Sequence, residues 1–536
     1  MILKNLDMMK GLRLYIMNLR KPTFNQAIVL TIIFLCLITV LFQGTALSSG
    51  LSGSVVITGG ILIFLFTVLI LFLLFKKDKL KEETVVFAII FAGMIFHCCY
   101  VLLTGLYERQ HDEGAYTGIA SSQVNPGHLG YIEYIYKFRK LPDMNPYELF
   151  SYYHPPLHHG LSGLWLILLT SLGMPEELAF ENLQALPLFY SGLLMLITYL
   201  ILKKTGAKGR ALYTGMILIA MHPTLTLMSA SINNDMLSTL LLACCILSTL
   251  CFIRERSLKN LMWIALSVGV GMLCKINTAV MAFPIGLVFM TDLIEVLRSR
   301  DRQAVIGRIK NYILFGFTAA IIGLSWIARN LIRFHEKPGI SSATEASVMY
   351  TGNYSVWERL GIPALTDWHF DFPFHPLSGD VIHNTWVIMF QTSLFGEIYP
   401  IELEGISLVL CRVVYIIAIM FALLSVILFV YTQYRKFRGP VRTNMTDALF
   451  LTSGYLIFLL SLAAFALKYP YTCSSDFRYI VICLVYIAVG MADSADENFS
   501  GGAKAITMPR IIRIGVCVSL ILTTIIYMIL LCCDMI

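Results

Sequence analysis

Three groups of residues in this chain have types and spacings that could do chemistry. The first is His111-Asp112-Glu113-Gly114-Ala115-Tyr116. An adjacent acidic pair offers a carboxylate that can take the proton of an acceptor hydroxyl as that hydroxyl attacks an electrophilic carbon. A solvated loop is the plainer fate of such a pair. The second is Tyr152-Tyr153-His154-Pro155-Pro156-Leu157-His158-His159. Proline fixes φ at about −65°, and a helix starting at Pro155 puts His158 and His159 in its first turn, facing back toward His154. Three imidazoles and two tyrosines there suit contacts to sugar or phosphate, or a metal; a proline-initiated helix with interfacial aromatic rings would use the same residues. The third is a set of cations at the ends of apolar runs: Lys275 after Cys274, Arg329 after Trp326-Ile327-Ala328, and Arg478 within Ser475-Asp476-Phe477-Arg478-Tyr479. Charge next to hydrocarbon is costly and marks a site by default, although long basic side chains also snorkel to the headgroups. Cations at headgroup depth are natural partners for a lipid phosphate.

Two further stretches are weaker. His222-Pro223 is followed by Asn233-Asn234-Asp235, where Asn and Asp are also ordinary helix caps. Gln391-Thr392-Ser393-Leu394-Phe395-Gly396-Glu397 has no mechanism readable from its residues. No third-ligand spacing specifies a metal. No metal ligands are therefore assigned, no cofactor is assigned, and dependence on a divalent cation stays open.

The elements that must hold these groups are membrane helices. Of 536 residues, 57% are hydrophobic and 14% charged, against roughly 45–50% and 25% in soluble domains. A hydrocarbon core of about 30 Å needs some 20 apolar residues in helical form, and about thirteen such runs recur from end to end. Among them Leu261–Cys274, Phe477–Val489 and the far end of Met236–Ile253 are short. Leu157–Leu172 reads as a helix lying on or dipping into the membrane. The expected fold is an all-α polytopic bundle of about 13 transmembrane helices with two large outer loops carrying surface helices. The first apolar run is followed by a second span and lacks a small-residue cleavage site, so it reads as an uncleaved helix. The thirteen cysteines lie nearly all inside apolar runs, where cysteine acts as a small hydrophobe.

Charge orients the bundle. Lys4, Lys10, Arg13, Arg20 and Lys21 place the N-terminus in the cytoplasm, and alternate short loops such as Lys76–Lys81, Lys203–Arg210, Arg298–Lys310 and Arg435–Arg442 are then basic and cytoplasmic. The net charge of +7 thus belongs to inner loops rather than to a nucleic-acid surface. The outer side holds two segments too long to be connectors, from Leu106 to about Asn182 and from Arg329 to about Arg412. All eleven histidines fall there or in the outer part of a span. The chemistry is expected at the extracytoplasmic face. No GxxxxGK[ST] loop and no HExxH helix is present, which removes the main sequence support for ATP-driven transport and zincin proteolysis.

The acidic pair in the first outer loop, His154-Pro155-Pro156-Leu157 before a helix, Leu273-Cys274-Lys275, and Trp326-Ile327-Ala328-Arg329-Asn330 together resemble the GT-C glycosyltransferases. Within that superfamily they are similar to the protein O-mannosyltransferase and lipid A aminoarabinose transferase group. The resemblance runs from about Val85 to Asn330, and its most specific part is His154–Leu157 combined with Asp112-Glu113. It implies a multi-span enzyme taking a sugar from a polyprenyl-phosphate carrier and giving it to a lipid, glycan or protein acceptor. The family's acidic motif falls on Asp112 and Glu113 as catalytic carboxylates, with Asp112 favoured as base. Lipid-phosphate binding falls on Lys275 and Arg329, with Arg478 added. His111, Tyr116, Tyr153, His154, His158 and His159 are the substrate-contacting candidates. If the acceptor is itself a phosphate, no base is needed and the acidic pair positions a substrate instead.

Many family members carry the acidic loop after their first span; here it follows the third. Residues 1–84 are therefore expected to be an added N-terminal hairpin, 85–330 a catalytic core including outer loop 106–182, 331–412 a second outer loop, and 413–536 the C-terminal helices. The basic inner loops suggest a bacterial plasma membrane. Competing readings are a transporter or flippase for a lipid-linked saccharide, which would want polar residues at mid-membrane and internal repeats, and a scaffold in an envelope-polymer assembly. Internal repeats are not apparent, and a scaffold leaves the histidine and cation clusters unexplained.

Overall fold

The fold is described from a computed structural model covering residues 23–49, 53–106, 127–146, 148–149, 151–337, 350–375, 382–396, 403–439, 442–494 and 507–532. Among these the chain is helical with one isolated bridge, Tyr350 to Tyr471. The helices in order are α1 (Phe24–Ser49), α2 (Gly53–Lys76), α3 (Glu82–Leu103), α4 (Gly127–Phe138), α5 (Leu157–Ser171), α6 (Glu176–Glu181) and α7 (Ala185–Lys204). Then come α8 (Gly209–Ala220), α9 (Pro223–Met228), α10 (Asp235–Arg254), α11 (Leu258–Cys274), α12 (Ala282–Arg298), α13 (Arg302–Gly323) and α14 (Ser325–Phe334). The remainder are α15 (Val356–Leu360), α16 (Thr385–Phe395), α17 (Gly405–Arg438), α18 (Arg442–Lys468), α19 (Cys483–Asp493) and α20 (Thr507–Cys532).

Ten described helices are long and apolar enough to cross a membrane, or eleven if the pair Thr472–Ile480 and Cys483–Asp493, bent by 45°, is one broken span. The protein is a multi-pass integral membrane protein. The remaining two of the thirteen apolar runs are helical but short. One is α11, with 17 residues. The other breaks at His222: Pro223 has no N–H to continue α8 and instead takes the first position of α9.

Local chemistry explains where the helices stop. Glu82 and Glu83 open α3 and Asp301 caps α13, its carboxylate accepting the N–H groups of Gln303 at 2.9 Å and Ala304 at 3.1 Å. Lys76, Lys203, Lys204, Arg254, Arg298, Arg435 and Arg438 all sit in last turns, where cations oppose the negative end of the macrodipole. Contacts join several of these ends, Lys203 to Glu82 at 2.8 Å and Arg254 to the Lys204 carbonyl at 3.2 Å; this region is called the basic end, and the region of the His128, His154, His158 and His159 cluster the histidine end.

Packing separates an inner from an outer ring. The apolar windows of α3, α7 and α10 are 78%, 72% and 72% buried, whereas that of α2 is 11% buried and that of α13 holds no buried residue. Exposed Leu, Ile and Phe on α2 and α13 are the expected lipid-facing surface of helices that are apolar all round. At Gly93 on α3 an added Cβ would meet Ala220 at 2.8 Å. A small residue there lets two backbones approach, as membrane helices require.

Buried ion pairs tie the basic end. Lys436 on α17 reaches Asp493 at 2.6 Å, with Gln433 donating to the same carboxylate at 3.1 Å. Arg254 grips Asp447 through two 2.5 Å contacts, and Asp292 takes Arg256 at 3.4 Å, Arg308 at 3.3 Å and the Tyr312 hydroxyl. These polar contacts hold helices distant in sequence.

Candidate functional site

His111, Asp112, Glu113 and Tyr116 lie outside the described residues. The structure does describe both flanks of their segment. Leu106 donates its N–H to Glu181 at 2.9 Å, and on the other side Gly127, with φ of 59°, turns the chain into α4 and delivers His128 to the centre of a ring cluster.

That cluster is built on the His-Pro-Pro-Leu-His-His stretch. Helix α5 begins at Leu157 with Pro156 as its N-cap, so His158 and His159 occupy the first turn as expected. His159 Nε2 lies 3.0 Å from His128 Nδ1, with parallel rings 5.3 Å apart. His154 stacks on His128 at 5.2 Å, Tyr153 lies against His154 at 4.5 Å, and Tyr131 stacks on both His159 (4.2 Å) and Tyr152 (4.7 Å). His158 turns the other way and makes a 2.6 Å contact with the carbonyl of Ile232. Burial pulls His158 down to about 4 and holds His159 well below the usual imidazole range, where His128, His158 and His154 add like-charge pressure.

The contact from His158 to Ile232 leads into the second half of the site. Asn233, Asn234 and Asp235 form the turn into α10. Asn233 accepts the N–H of Asp235 at 3.1 Å, and Asn234 donates to the Cys274 carbonyl at 2.8 Å. This stitches the turn to the break after α11, where Lys275 takes an extended backbone. Lys275 pairs with one oxygen of Asp235, and Arg478 comes to 3.6 Å of the other. Arg478 also lies 3.9 Å from Asp476, whose other oxygen accepts the Arg478 N–H at 2.7 Å. The Tyr479 ring carries both cations, with Lys275 at 4.8 Å and Arg478 at 5.0 Å. Lys275 and Arg478, 203 positions apart in the numbering, thus converge on one carboxylate.

Arg329 stands on the histidine side of the site. Its guanidinium donates to the Pro142 carbonyl at 2.5 Å and to Asn330 at 2.9 Å, and lies 4.5 Å from the Trp326 ring. Burial holds its pKa below the ordinary value while the neighbouring Tyr131 pulls it back up. Among the described residues no carboxylate forms a salt bridge with it, although Asp143 contributes a longer-range field.

The structure therefore brings Tyr153, His154, His158, His159, Lys275, Arg329 and Arg478 into one connected assembly. Asp235 joins it as a counter-ion and His128 and Tyr131 as ring partners, none of which sequence reasoning assigned to the site. A carboxylate opening an apolar run, 40 positions before a lysine closing the next, was the available signal for Asp235; nothing local marked His128 or Tyr131. Among the described residues no three His, Cys, Asp or Glu side chains are arranged to hold a metal ion.

Two cavities are found elsewhere in the described residues, neither lined by a member of the assembly. One, of about 140 Å³, is mostly apolar and lies among α8, α16, α17, α18, α19 and α20, with His222, Phe477 and Ile480 in its wall. The other is a polar groove of about 580 Å³ between Tyr354, Trp357, Glu358, Asp367, His383 and Asn384.

Comparison with known proteins gives a partial sequence match and distant structural ones. Residues 155–326, roughly a third of the chain, match the dolichyl-phosphate-mannose-protein mannosyltransferase family. No curated protein sequence matches the chain. The fold is similar to the Archaeoglobus fulgidus oligosaccharyltransferase AglB, solved with an inhibitory peptide and a dolichol-phosphate, at 11% identity and a TM-score of 0.43, covering 83% of this chain and 56% of that one. Its apo form gives 13% identity and a TM-score of 0.43, over 82% and 55%. ArnT from Cupriavidus metallidurans, bound to undecaprenyl phosphate, gives 14% identity and a TM-score of 0.35, over 76% and 78%. The chain spans about half the length of the archaeal enzyme.

Proposed function

We propose, from the premise that residues 155–326 belong with the GT-C glycosyltransferases, that this chain is a membrane enzyme transferring a sugar from a polyprenyl-phosphate carrier to an acceptor at the extracytoplasmic face. The observation that carries the reading is the convergence of Lys275 and Arg478 on Asp235 at the histidine end of the bundle, with Arg329 beside the linked ring cluster. The acceptor class, whether lipid, glycan or protein, follows from the family resemblance alone.

In such a transfer the bond from the anomeric carbon to the carrier phosphate oxygen breaks, and a bond to the acceptor forms. Negative charge grows on the departing polyprenyl phosphate. Lys275 and Arg478 are already oriented by Asp235 and Asp476, so they need little rearrangement to meet that charge. Arg329, without a salt-bridged carboxylate among the described residues, supplies positive charge that a phosphate would balance. His154, the partly exposed member of the ring cluster, offers a stacking face suited to a sugar, while the buried His158 and His159 hold that cluster in place. The apolar cavity lined by Phe477, next in sequence to Arg478, is a candidate seat for part of a carrier chain. Asp112 is assigned as the base for a hydroxyl acceptor, with Glu113, His111 and Tyr116 beside it in sequence; if the acceptor is a phosphate, the pair positions it instead.

The test is to incubate the purified protein with a panel of polyprenyl-phosphate sugars and follow release of polyprenyl phosphate. Release is expected with at least one donor. Binding of donors without release of carrier from any of them would overturn the enzymatic reading in favour of a lipid-linked-saccharide transporter.

A further inference from the structure

The stretch Gln391–Thr392–Ser393 has no role readable from its sequence, yet it lies at the junction between the second large loop and the cation cluster. Helix α16 is not a surface helix: Thr385, Gln391 and Thr392 are fully buried, and the helix packs against α9 and the two 3-10 turns Thr472–Ser475 and Phe477–Ile480. The second of these turns carries Arg478. The first N–H groups of any helical turn lack partners within it. Here Asp476 takes the N–H of Arg478, and the N–H of Phe477 goes to Thr392 Oγ1 at 3.0 Å. The Thr392 hydroxyl donates in turn to the Ile388 carbonyl at 2.9 Å, which directs its lone pairs toward Phe477.

The remaining contacts make α16 a bridge. Ser475 Oγ donates to Thr385 Oγ1 at 3.3 Å, so both turns are stitched to the same helix. Thr224 on α9 donates to the Ser393 carbonyl at 2.6 Å. On the side of the polar groove, Asn384 caps α16 and donates to the carbonyls of Glu358 at 3.2 Å and Gly361 at 3.0 Å, while Trp386 Nε1 donates to the Leu360 carbonyl at 2.7 Å. One rigid helix therefore connects the outer groove to the turn that holds Arg478.

We infer that Thr392 is a positioning residue for lipid-phosphate binding, acting through the Phe477 N–H to hold Arg478 against Asp235. This rests on the proposed function, since the ligand Arg478 would meet is the carrier phosphate. Thr392→Val keeps the side-chain shape and removes the acceptor, leaving a buried N–H unpaired and the turn free to shift. Thr392→Ser keeps the hydroxyl.

The experiment measures binding of a polyprenyl phosphate to the full-length protein in detergent, with thermal unfolding and donor and acceptor kinetics alongside. Wild type binds. Thr392→Val binds about tenfold more weakly, with the donor KM raised by a similar factor and the acceptor KM unchanged, while Thr392→Ser stays within about twofold of wild type. Ser475→Ala, a milder loss at the other stitch, weakens donor binding by about two- to threefold and serves if the valine variant does not fold. Unchanged binding in folded Thr392→Val, or a Ser variant as poor as the Val variant, overturns the inference and leaves the proposed function standing. A wild type that binds no polyprenyl phosphate overturns both.

Discussion

At the residue scale, what matters is how few side chains carry the polar work and how tightly each is coupled to another. Lys275 and Asp235 share one contact, so their effects should not add. Lys275→Met and Asp235→Asn are each expected to lower transfer strongly, because the first removes one of the two cations on buried Asp235 and the second removes the carboxylate paired with Lys275. The double variant should lose much less than the product of the two, a coupling of about 0.5–3 kcal/mol in a double-mutant cycle. Additive losses would mean the pair does not act as a unit. Asp112→Asn should abolish transfer to a hydroxyl acceptor while expression and membrane insertion persist; full activity would remove Asp112 as the base. The lowered pKa of buried His158 gives a pH signature with a definite sign. His158, held near 4 in the fold against about 6.5 unfolded, makes the unfolded chain bind more protons between those values. Stability is therefore complete above about pH 6.5 and falls as pH drops toward 4, by up to about 1.4 kcal/mol per pH unit for one group. His158→Asn should flatten that decline in detergent-based unfolding by about one proton's worth, and an unaltered slope would show that His158 does not titrate in this way.

At the element scale, the sequence made the helices legible and the breaks less so. Apolar run length predicts α1 to α3, α7, α10, α12, α13, α17, α18 and α20 directly, because a membrane helix satisfies its own backbone. The proline after His222 announced an interruption, but nothing local indicated that α9 would pack against α16, or that α16 would leave the second loop to lie among the spans. Those placements depend on side-chain hydroxyls meeting orphan N–H groups far away in sequence, as Thr392 meets Phe477, and no period records that. The candidate site divides in the same way. His154, His158 and His159 were readable from spacing, whereas Asp235 becomes meaningful only when α10 and α11 bring it to Lys275. The basic end offers a test of element-level coupling. Lys436 and Asp493, 6% and 7% exposed, join α17 to α19. Lys436→Met should destabilise the protein by about 3–5 kcal/mol because it strands a buried carboxylate, while Lys436→Met combined with Asp493→Leu should recover most of that loss. Melting in detergent measures both. If the single variant melts like wild type, the pair does not hold the two helices.

At the scale of the whole molecule, the two ends of the bundle differ in what their charges are for. The basic end closes last turns against the helix dipoles and neutralises its buried carboxylates with arginine and lysine from other helices, which is the arrangement of a structural clasp. The histidine end keeps buried imidazoles, stacked tyrosines and Arg329 with no salt-bridged carboxylate among the described residues. That asymmetry argues against alternating access, in which equivalent charged or polar groups would serve both sides of the membrane in turn. It also fixes what orientation the proposed function needs: the histidine end must face the compartment where lipid-linked sugars are consumed, and the basic end must face the cytoplasm. Ile362, 96% exposed beside the polar groove, and Asp78, in the turn after α2, report the two faces. In a background with the native cysteines replaced, Ile362→Cys should react with a membrane-impermeant maleimide on intact cells, and Asp78→Cys only after the membrane is opened. The reverse pattern would turn the molecule over, placing Lys275, Arg329 and Arg478 in the cytoplasm, and the extracytoplasmic transfer proposed for them would fall with it.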